Sequence, residues 1–546
     1  MLRNEDRANV SFARARFMVL ALALIFGSGP LIAQNAAKQV AIPLPPMGWS
    51  SWNAFSNTVD SQIVMAQAKA MASNGMAKAG YQYINIDEGW WLGQRDAGGN
   101  IVVDAKAWPA IAPGEKPGDM TNIVRYIHGQ GLKAGIYTDA GKDGCGTVGP
   151  DLGPGYPNEG SEGHYEQDFL QFAKWGFDYV KVDWCGGDKE NLDPAVQYAE
   201  IARAIARAES ITGHRLYYSI CNWGKNSPAT WAPGVGGVTA DVWRTGGDIV
   251  APIVANTKNA DRRAELREVF REFDEANHPE AEHTGFYNDP DMMVVGMPGL
   301  TDAQNRVHMG LWAMSGGPLL VGADLTKLGD ATLATLTNPA VIAIDQDALG
   351  LQAVKVAEVG KGLEVWSKPL SKAGERAVLL LNRTSEATAI SFELDALGLV
   401  DSSPTTVRDL WAGKDMGAAK SSYSTTVAPA DAVMLLVRGQ EKKFAIYKTP
   451  GDRKLMKGKD VRFGQVASRG QVSRVQIEYV NGSGSPAMAE LRVNGRIATK
   501  IAFPTTGGDL GTVTIQAVLD RPGAENELVF SGGDAGELVI NSIWVQ

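Results

Sequence analysis

Short β-rich runs alternate with amphipathic helical stretches between residues 43 and 350. Eight such runs are predicted as strands, at Met47–Trp49, Tyr83–Ile86, Lys133–Tyr137, Tyr179–Val182, Tyr217–Ile220, Val242–Arg244, Gly285–Tyr287 and Leu319–Val321. Helices are predicted at Ser61–Ala79, Asn122–Gln130, Tyr165–Lys174, Pro194–Ala208 and Asp261–Asp274, where apolar residues recur at helical spacing. Eight strands, each followed by a crossover, predict a (β/α)8 TIM barrel over residues 40–350. The main alternative is a doubly wound open sheet, which normally has a glycine-rich phosphate-binding turn that this sequence lacks.

The helical period disappears after residue 350, and short strands follow at the spacing of a β-sandwich. They are predicted at Leu363–Trp366, Ala377–Leu381, Ile390–Phe392, Val407–Leu410 and Ala432–Val437. A polar linker at Gly439–Lys443 separates this domain, residues 351–439, from a second all-β region, residues 440–546. The predicted architecture is therefore α/β, a TIM barrel followed by two all-β sandwich domains.

Residues 1–34 have the pattern of a secretory signal peptide. Arginines between Arg3 and Arg16 precede the uncharged run Phe17–Phe26, and cleavage is expected near Ala33. The apolar run is too short to anchor the chain in a bilayer. We therefore expect a secreted or periplasmic protein with no integral membrane segment after signal cleavage.

The charge of the chain argues against a nucleic-acid-binding protein, and its cysteines and histidines argue against a zinc site. The 546 residues contain 52 Lys and Arg against 61 Asp and Glu, a formal net charge of −9. Nucleic acid is not an expected partner, because proteins that bind it present a basic face. The three cysteines and six histidines show no spacing typical of a zinc site.

Polar and aromatic side chains follow the predicted barrel strands, at the end where function collects in this fold. They include Trp52, Asp87, Glu88, Tyr137, Asp183, Asn222, Trp223, Arg244, Asp248 and Asp291. Such a set suits a neutral sugar, whose hydroxyls donate to carboxylates and whose C–H face packs on aromatic rings. Hydrolysis of a glycoside needs two carboxyl groups. Asp183 is one candidate, because Lys181 on the same strand face would hold it ionised, and Asp248 in a glycine-rich loop is the other.

Taken singly, either aspartate is more typical of a strand-end cap or a salt bridge than of a catalytic group. The convergence of so many sugar-binding residue types at one rim favours catalysis.

Five motifs occur in order along the barrel. They are Pro-Met-Gly-Trp-Ser-Ser-Trp-Asn (46–53), Asn-Ile-Asp-Glu-Gly-Trp (85–90), Gly-Ile-Tyr-Thr-Asp-Ala-Gly (135–141), Tyr-Val-Lys-Val-Asp-Trp-Cys (179–185) and Asn-Asp-Pro-Asp-Met (288–292). Residues 43–439 thereby resemble the melibiase-type α-galactosidases, glycoside hydrolase family 27. The resemblance implies a retaining exo-glycosidase that acts on terminal α-D-galactosyl residues through a covalent glycosyl-enzyme, without a metal or cofactor. With the signal peptide, the expected protein is a secreted enzyme of this kind. Its expected partners are galactose-containing oligo- or polysaccharides.

The resemblance also implies a role for individual residues. Asp183 would be the nucleophile and Asp248 the acid/base. Positions that hold or line the sugar are matched by Trp52, Asp87, Tyr137, Lys181, Cys221, Trp223, Arg244, Asp291 and Met292. Cys145 and Cys185 occupy the positions of the family's disulfide, which leaves Cys221 as a free thiol, either in the core or in the pocket lining.

Two positions depart from the family pattern. Asn222 stands where the family usually has Glu, which keeps a minor alternative open, an α-N-acetylgalactosaminidase. Glu88 stands where most members have a second Asp beside the exocyclic CH2OH of galactose. Its extra methylene would crowd that group, and β-L-arabinopyranose lacks the crowded carbon. A β-L-arabinopyranosidase that acts on β-L-arabinopyranosides is therefore the main alternative function.

Residues 440–546 resemble the β-sandwich carbohydrate-binding modules attached to such enzymes. A sugar-binding domain and a non-binding spacer are both compatible with this region. Trp544 lies in an apolar terminal strand and is expected in the core. A sugar-binding protein built on an inactive barrel is the remaining alternative, and it would be expected to have lost a catalytic carboxylate.

Overall fold

The computed structural model describes residues 37–145, 158–233, 240–250, 263–451, 453–456, 458–532 and 538–546. The predicted signal peptide, residues 1–34, lies outside these ranges. Among the described residues, no helix has the length and apolar character needed to cross a membrane.

A parallel eight-stranded sheet forms the first part of the molecule. The strands up to residue 321 are β1 (Lys38–Gln39), β2 (Met47–Ser50), β3 (Tyr83–Asn85), β4 (Trp91–Arg95), β5 (Ile101–Val103), β6 (Lys133–Asp139), β7 (Tyr179–Asp183), β8 (Tyr217–Ile220), β9 (Val242–Arg244), β10 (Tyr287–Asp289) and β11 (Leu319–Val321). The sheet runs in the order β10-β9-β8-β7-β6-β3-β2-β11. Backbone hydrogen bonds of Met293 with Leu320 and Gly322 then join the segment after β10 to β11. The predicted barrel is thereby confirmed.

Helices follow the barrel strands. They are α1 (Trp52–Phe55), α2 (Ser61–Ser73), α3 (Met76–Ala79), α4 (Thr121–Gly129), α5 (Tyr165–Trp175), α6 (Cys185–Lys189), α7 (Pro194–Thr212), α8 (Pro228–Trp231), α9 (Leu266–Glu275), α10 (Asp302–Ser315), α11 (Asp330–Leu336) and α12 (Pro339–Asp345). Because helices cover the sheet, barrel strands such as β2 and β8 are buried at every position.

Several predicted boundaries are wrong by a few residues, including the following three. The helix predicted at Ser61–Ala79 is interrupted at Gly75, whose φ of 96° is incompatible with a continuous helix. The seventh strand begins at Tyr287 rather than Gly285, which has a φ of 97°. The helix predicted at Asp261–Asp274 begins at Leu266, and residues 261 and 262 lie outside the described residues.

The second domain is all β, as predicted. Its strands are β12 (Val354–Gly360), β13 (Leu363–Pro369), β14 (Glu375–Asn382), β15 (Thr388–Glu393), β16 (Thr405–Asp409), β17 (Lys414–Ala419), β18 (Ser422–Val427) and β19 (Asp431–Arg438). An antiparallel sheet in the order β12-β13-β14-β19-β16-β17 faces the β15–β18 pair. The apolar residues between these two layers form a core of their own, which includes Val378, Leu380, Ile390 and Phe392.

The third domain consists of two further sheets. Its strands are β20 (Ala445–Lys448), β21 (Lys454–Leu455), β22 (Asp460–Ser468), β23 (Val472–Asn481), β24 (Ala487–Val493), β25 (Arg496–Phe503), β26 (Gly511–Val518), β27 (Gly523–Gly532) and β28 (Leu538–Val545). One sheet runs β1-β26-β23-β28-β20, with β21 also on β28, and the other runs β22-β27-β24-β25. The core prediction for Trp544 is wrong, because its neighbours Ile543 and Val545 point inward while Trp544 is only half-buried.

The third domain is attached to the rest of the chain at several places. β1, which precedes the barrel, pairs in parallel with β26. The buried His283, just before β10, lies 3.0 Å from the Thr499 hydroxyl in β25. Glu441 in the linker accepts hydrogen bonds of 2.7 Å from Arg376 of the second domain and Arg474 of the third.

Candidate active site

Asp183, Lys181 and Asp87 form a connected network at the carboxyl end of the barrel strands. Asp183 ends β7, and Lys181 lies two residues earlier on the same strand face. The Lys181 Nζ donates a hydrogen bond of 2.9 Å to Asp87 Oδ2 and lies 3.6 Å from Asp183 Oδ2. The Trp184 backbone N–H donates to Asp183 Oδ1 at 3.0 Å, and the Ser50 hydroxyl donates to Asp87 Oδ2 at 3.3 Å. One ammonium group thus orients two buried carboxylates.

Burial raises the pKa of Asp183 to about 6, although the Lys181 ammonium acts in the opposite direction. The negative charges of Asp248 and Asp87 add to the increase. The loss of hydration thus outweighs one neighbouring cation in setting the pKa of this carboxyl group. Asp183 is ionised at neutral pH and more basic than a solvated aspartate.

Arg244, at the end of β9, links Asp248 in the loop after β9 to Asp291 in the segment after β10. The guanidinium is buried, and its nitrogens lie 3.0 Å from Asp291 Oδ1 and 3.3 Å from Asp248 Oδ1. The side chain of Asp291 is 5% exposed, whereas that of Asp248 is 47% exposed. Asp248 is therefore accessible to a substrate group that enters from solvent. The buried Asp291 holds the Arg244 guanidinium in position.

The backbone of the Asp248 loop is held by α9. Arg271 donates a hydrogen bond of 2.8 Å to the Asp248 carbonyl oxygen and lies 2.6 Å from the fully buried carboxyl of Glu272. A Cβ atom at Gly246 would collide with Glu272 and Glu275, so this glycine allows the loop to lie directly against the helix. Arg271 and Glu272 are not among the predicted site residues, and their only signal is a charged residue on the buried face of an amphipathic helix.

A small cavity of about 20 Å³ lies between the two networks. Of the predicted site residues, it is lined by Asp87, Lys181, Arg244, Asp291 and Met292, and it is also lined by Cys221. This volume has room for about one water molecule. Burial raises the pKa of the Cys221 thiol well above its ordinary value, so that the thiol stays protonated. Cys221 is therefore a lining group and not a thiolate nucleophile.

The remaining predicted side chains surround these networks. Tyr137 is buried with its ring 5.2 Å from the Lys181 Nζ, and burial raises the pKa of its hydroxyl well above the ordinary value. Asn222 is fully buried, and its Nδ2 donates to the Lys225 carbonyl oxygen at 2.8 Å. Trp223 has a φ of 53° and is half-buried, as is Trp52 at the start of α1.

Glu88 is hydrogen-bonded to a second carboxyl group, Glu159, which is not among the predicted site residues. The two side chains share a hydrogen bond, and burial raises the pKa of Glu159 to about 8. A Cβ atom at Gly144 would lie 2.7 Å from Glu88 Oε1 and 3.1 Å from Glu159 Cβ, so the pair packs against the segment after β6. With its pKa at about 8, Glu159 is largely protonated at neutral pH, so a hydrogen bond rather than charge repulsion joins the two side chains. Glu159 thereby determines where the longer side chain of Glu88 points.

The disulfide implied by the resemblance is present. Cys145 and Cys185 are bonded, with Cα atoms 4.9 Å apart, and Cys221 is free and buried. The bridge connects the segment after β6 to the start of α6, two residues beyond Asp183. Both sulfurs are consumed in the bond, so they cannot ligate a metal beside Asp139 and Asp183 as thiolates.

Three family models match successive parts of the chain. A model described as alpha galactosidase A matches residues 44–347, the alpha galactosidase C-terminal beta sandwich domain matches residues 360–437, and an alpha-galactosidase CBM13 domain matches residues 461–540. The α-galactosidase of Oryza sativa subsp. japonica is 37% identical over 395 residues, which cover 72% of this chain and 84% of the rice protein.

Two solved structures are similar to this chain. α-Galactosidase I from Mortierella vinacea is similar with a TM-score of 0.62 and 28% identity, over 73% of this chain and 98% of that protein. A β-L-arabinopyranosidase from Geobacillus stearothermophilus has a TM-score of 0.61 at 22% identity, over 72% of this chain and 96% of that protein, and thus shares the fold. The chain belongs to the melibiase-type α-galactosidases, glycoside hydrolase family 27.

Proposed function

We propose that the protein is a retaining α-galactosidase that releases terminal α-D-galactosyl residues from oligo- or polysaccharides by double displacement. One observation carries the proposal. Two carboxyl groups lie in different environments, Asp183 buried beside Lys181 and Asp248 half exposed on Arg244, and the charge of Asp248 raises the pKa of Asp183. Such a difference in environment allows one carboxyl group to attack while the other transfers a proton.

In the first step, a carboxylate oxygen of Asp183 attacks the anomeric carbon. The bond from that carbon to the leaving-group oxygen breaks, and the Asp248 carboxylic acid protonates this oxygen. In the second step, the Asp248 carboxylate takes a proton from water, and the water oxygen displaces Asp183 from the anomeric carbon. Two inversions give net retention. Lys181 and Asp87 would hold ring hydroxyls, and Arg244 would orient both Asp248 and the 2-hydroxyl side of the sugar.

Azide rescue of two variants tests the roles of the carboxyl groups separately. In Asp183→Gly, azide should attack the substrate directly and give the β-galactosyl azide. In Asp248→Gly, a substrate with a good leaving group still forms the glycosyl-enzyme, and azide should give the α-galactosyl azide. Near-normal activity of Asp183→Gly, or the same azide anomer from both variants, would contradict the assignment.

Glu88 supports a second candidate activity, hydrolysis of β-L-arabinopyranosides. Its carboxyl group is one methylene longer than the aspartate common at this position, and Glu159 holds it in place. A pocket distinguishes one methylene by about 10- to 200-fold. Assays of 4-nitrophenyl α-D-galactopyranoside and 4-nitrophenyl β-L-arabinopyranoside with the same preparation would decide which sugar has the higher kcat/KM.

Export of the protein is also part of the proposal. The N-terminal signal pattern suggests it, and the Cys145–Cys185 disulfide supports it, because such bonds persist in oxidising compartments. N-terminal sequencing of the mature protein from periplasm or medium should find a start near residue 34, and an intact residue 1 would contradict cleavage.

A further inference from the structure

A cleft of about 390 Å³ lies between the second and third domains. It shares no lining residue with the cavity in the barrel. Its walls come from β12, β14 and the segment around Leu397 on one side, and from β22, β23 and β26 on the other. Small-molecule sites commonly have volumes of about 300–1,000 Å³ and lie between domains. The size and position of the cleft are therefore those of a ligand site.

The cleft is strongly cationic in a protein with a net charge of −9. Five cations line it, Arg376, Lys442, Lys443, Arg469 and Arg474. Two carboxylates lie among them. Glu441 is shared by Arg376 and Arg474, and Asp395 is shared by Lys442 and Arg469. Each carboxylate thus serves two cations, so positive side chains outnumber negative ones in the walls of the cleft.

The positive charge of Arg474 is only partly neutralised by Glu441, which Arg376 shares. Its Nη2 donates to Glu441 at 2.7 Å, and its guanidinium stacks 4.5 Å from the centre of the Phe444 ring. Its side chain is only 11% exposed, and burial together with the nearby Arg376 lowers the pKa of Arg474 to about 10. A further anion beside Arg474 would relieve this repulsion.

We propose that the cleft binds an anionic oligosaccharide through the carboxylate of a uronic acid residue. A planar guanidinium matches a carboxylate by paired hydrogen bonds. The neutral part of the ligand would meet polar side chains of the same walls, Ser473, Gln471, Gln516 and Gln546. The wall formed by the third domain belongs to the region matched by the CBM13 model, which makes a sugar the suitable carrier of the charge.

Isothermal titration of the full-length protein with α-1,4-linked trigalacturonate tests the proposal. The titration is run in saturating galactose, so that the barrel site is occupied. We expect saturable binding to one site that weakens as salt is added. Neutral galactotriose should not bind under these conditions. The double variant Lys443→Gln/Arg469→Gln should weaken binding by about 10-fold or more, because it removes two cations that face an anion.

The matched control is Lys361→Gln/Lys420→Gln, which changes the net charge equally at exposed positions outside the cleft. It should alter the affinity less than about twofold, since it leaves the cleft intact. Both proteins should keep the melting temperature and the activity of the barrel. If Arg469→Gln disturbs folding through its contact with Asp395, the exposed Lys443→Gln alone provides the test.

Three results would overturn the proposal. They are absence of trigalacturonate binding up to millimolar concentration, equal loss of affinity in the cleft variant and the control, and binding of sulfate alone as tight as that of the trisaccharide.

Discussion

Replacing Lys181 by Met is expected to move the acid limb of the kcat/KM profile to higher pH. In the native protein the pKa of Asp183 is about 6, and the Lys181 ammonium opposes the increase that burial causes. The nucleophile must be ionised, so kcat/KM should fall as the pH drops through about 6. At pH 5 only about one Asp183 in eleven carries a charge.

The separation of 3.6 Å between Lys181 Nζ and Asp183 Oδ2 sets the size of the shift. At an effective dielectric constant of about 20, the attraction is about 4.6 kcal/mol, which corresponds to about 3 pH units as an upper limit. Asp87 shares the ammonium, which reduces the effect on Asp183. We therefore expect the acid limb of Lys181→Met to move up by about 1 to 3 pH units.

The assay is the pH dependence of kcat/KM with 4-nitrophenyl α-D-galactopyranoside, because this parameter reports the free enzyme. Lys181→Arg keeps the charge and should leave the limb near its native position even if the activity is lower. Lys189→Met, on an exposed lysine that pairs with Asp143, is the matched control. An unchanged limb in Lys181→Met would refute the reasoning, provided that circular dichroism shows a folded protein.

Three further outcomes are expected. Glu88→Asp should raise the ratio of galactoside to arabinopyranoside kcat/KM, since it withdraws the carboxyl group toward the backbone. Glu159→Gln should change the same ratio, because it alters the hydrogen bond that holds Glu88. Equal ratios in the native protein and both variants would exclude both residues from substrate choice. Cys145→Ser/Cys185→Ser should lower the free energy of unfolding, measured in urea, by about 2–4 kcal/mol. In the unmutated protein, a thiol reagent should react with one cysteine after denaturation and with none in the folded state. Thr301→Ala should cost about 1 kcal/mol in the same urea assay, because it removes the capping box formed with Gln304 at the start of α10.

The sequence was sufficient to predict the barrel because its signals are local. Each barrel strand is a short apolar run, and most of them are followed by the polar or aromatic residues that form the rim. Asp183 and Lys181 are found in the same way, since two residues on one strand share a face.

Contacts between distant segments and the depth of burial have no such local signal. Glu88 and Glu159 are 71 positions apart and come together only through the loop that follows β6. The raised pKa of Asp183 depends on how completely the surrounding residues exclude water, which neither the charge nor the spacing of Lys181 reveals. The pairing of β1 with β26 involves two residues and crosses the whole barrel in sequence, so no pattern predicts it.

Because of the two-residue strand β1, the third domain includes residues that precede the barrel in sequence. The chain contributes Lys38 and Gln39 to the sheet of the third domain before it enters the barrel, and Val40 packs against the core of that domain. A cut at the linker after Gly439 would therefore not release a complete module. In the N-terminal fragment, Lys38 and Gln39 would lose the strand with which they pair. In the C-terminal fragment, β26 would become an unpaired edge strand, and such edges promote aggregation. Lys38 to Gln546 form one compact unit, and the segment that resembles a binding module takes part of its sheet from residues that precede the barrel.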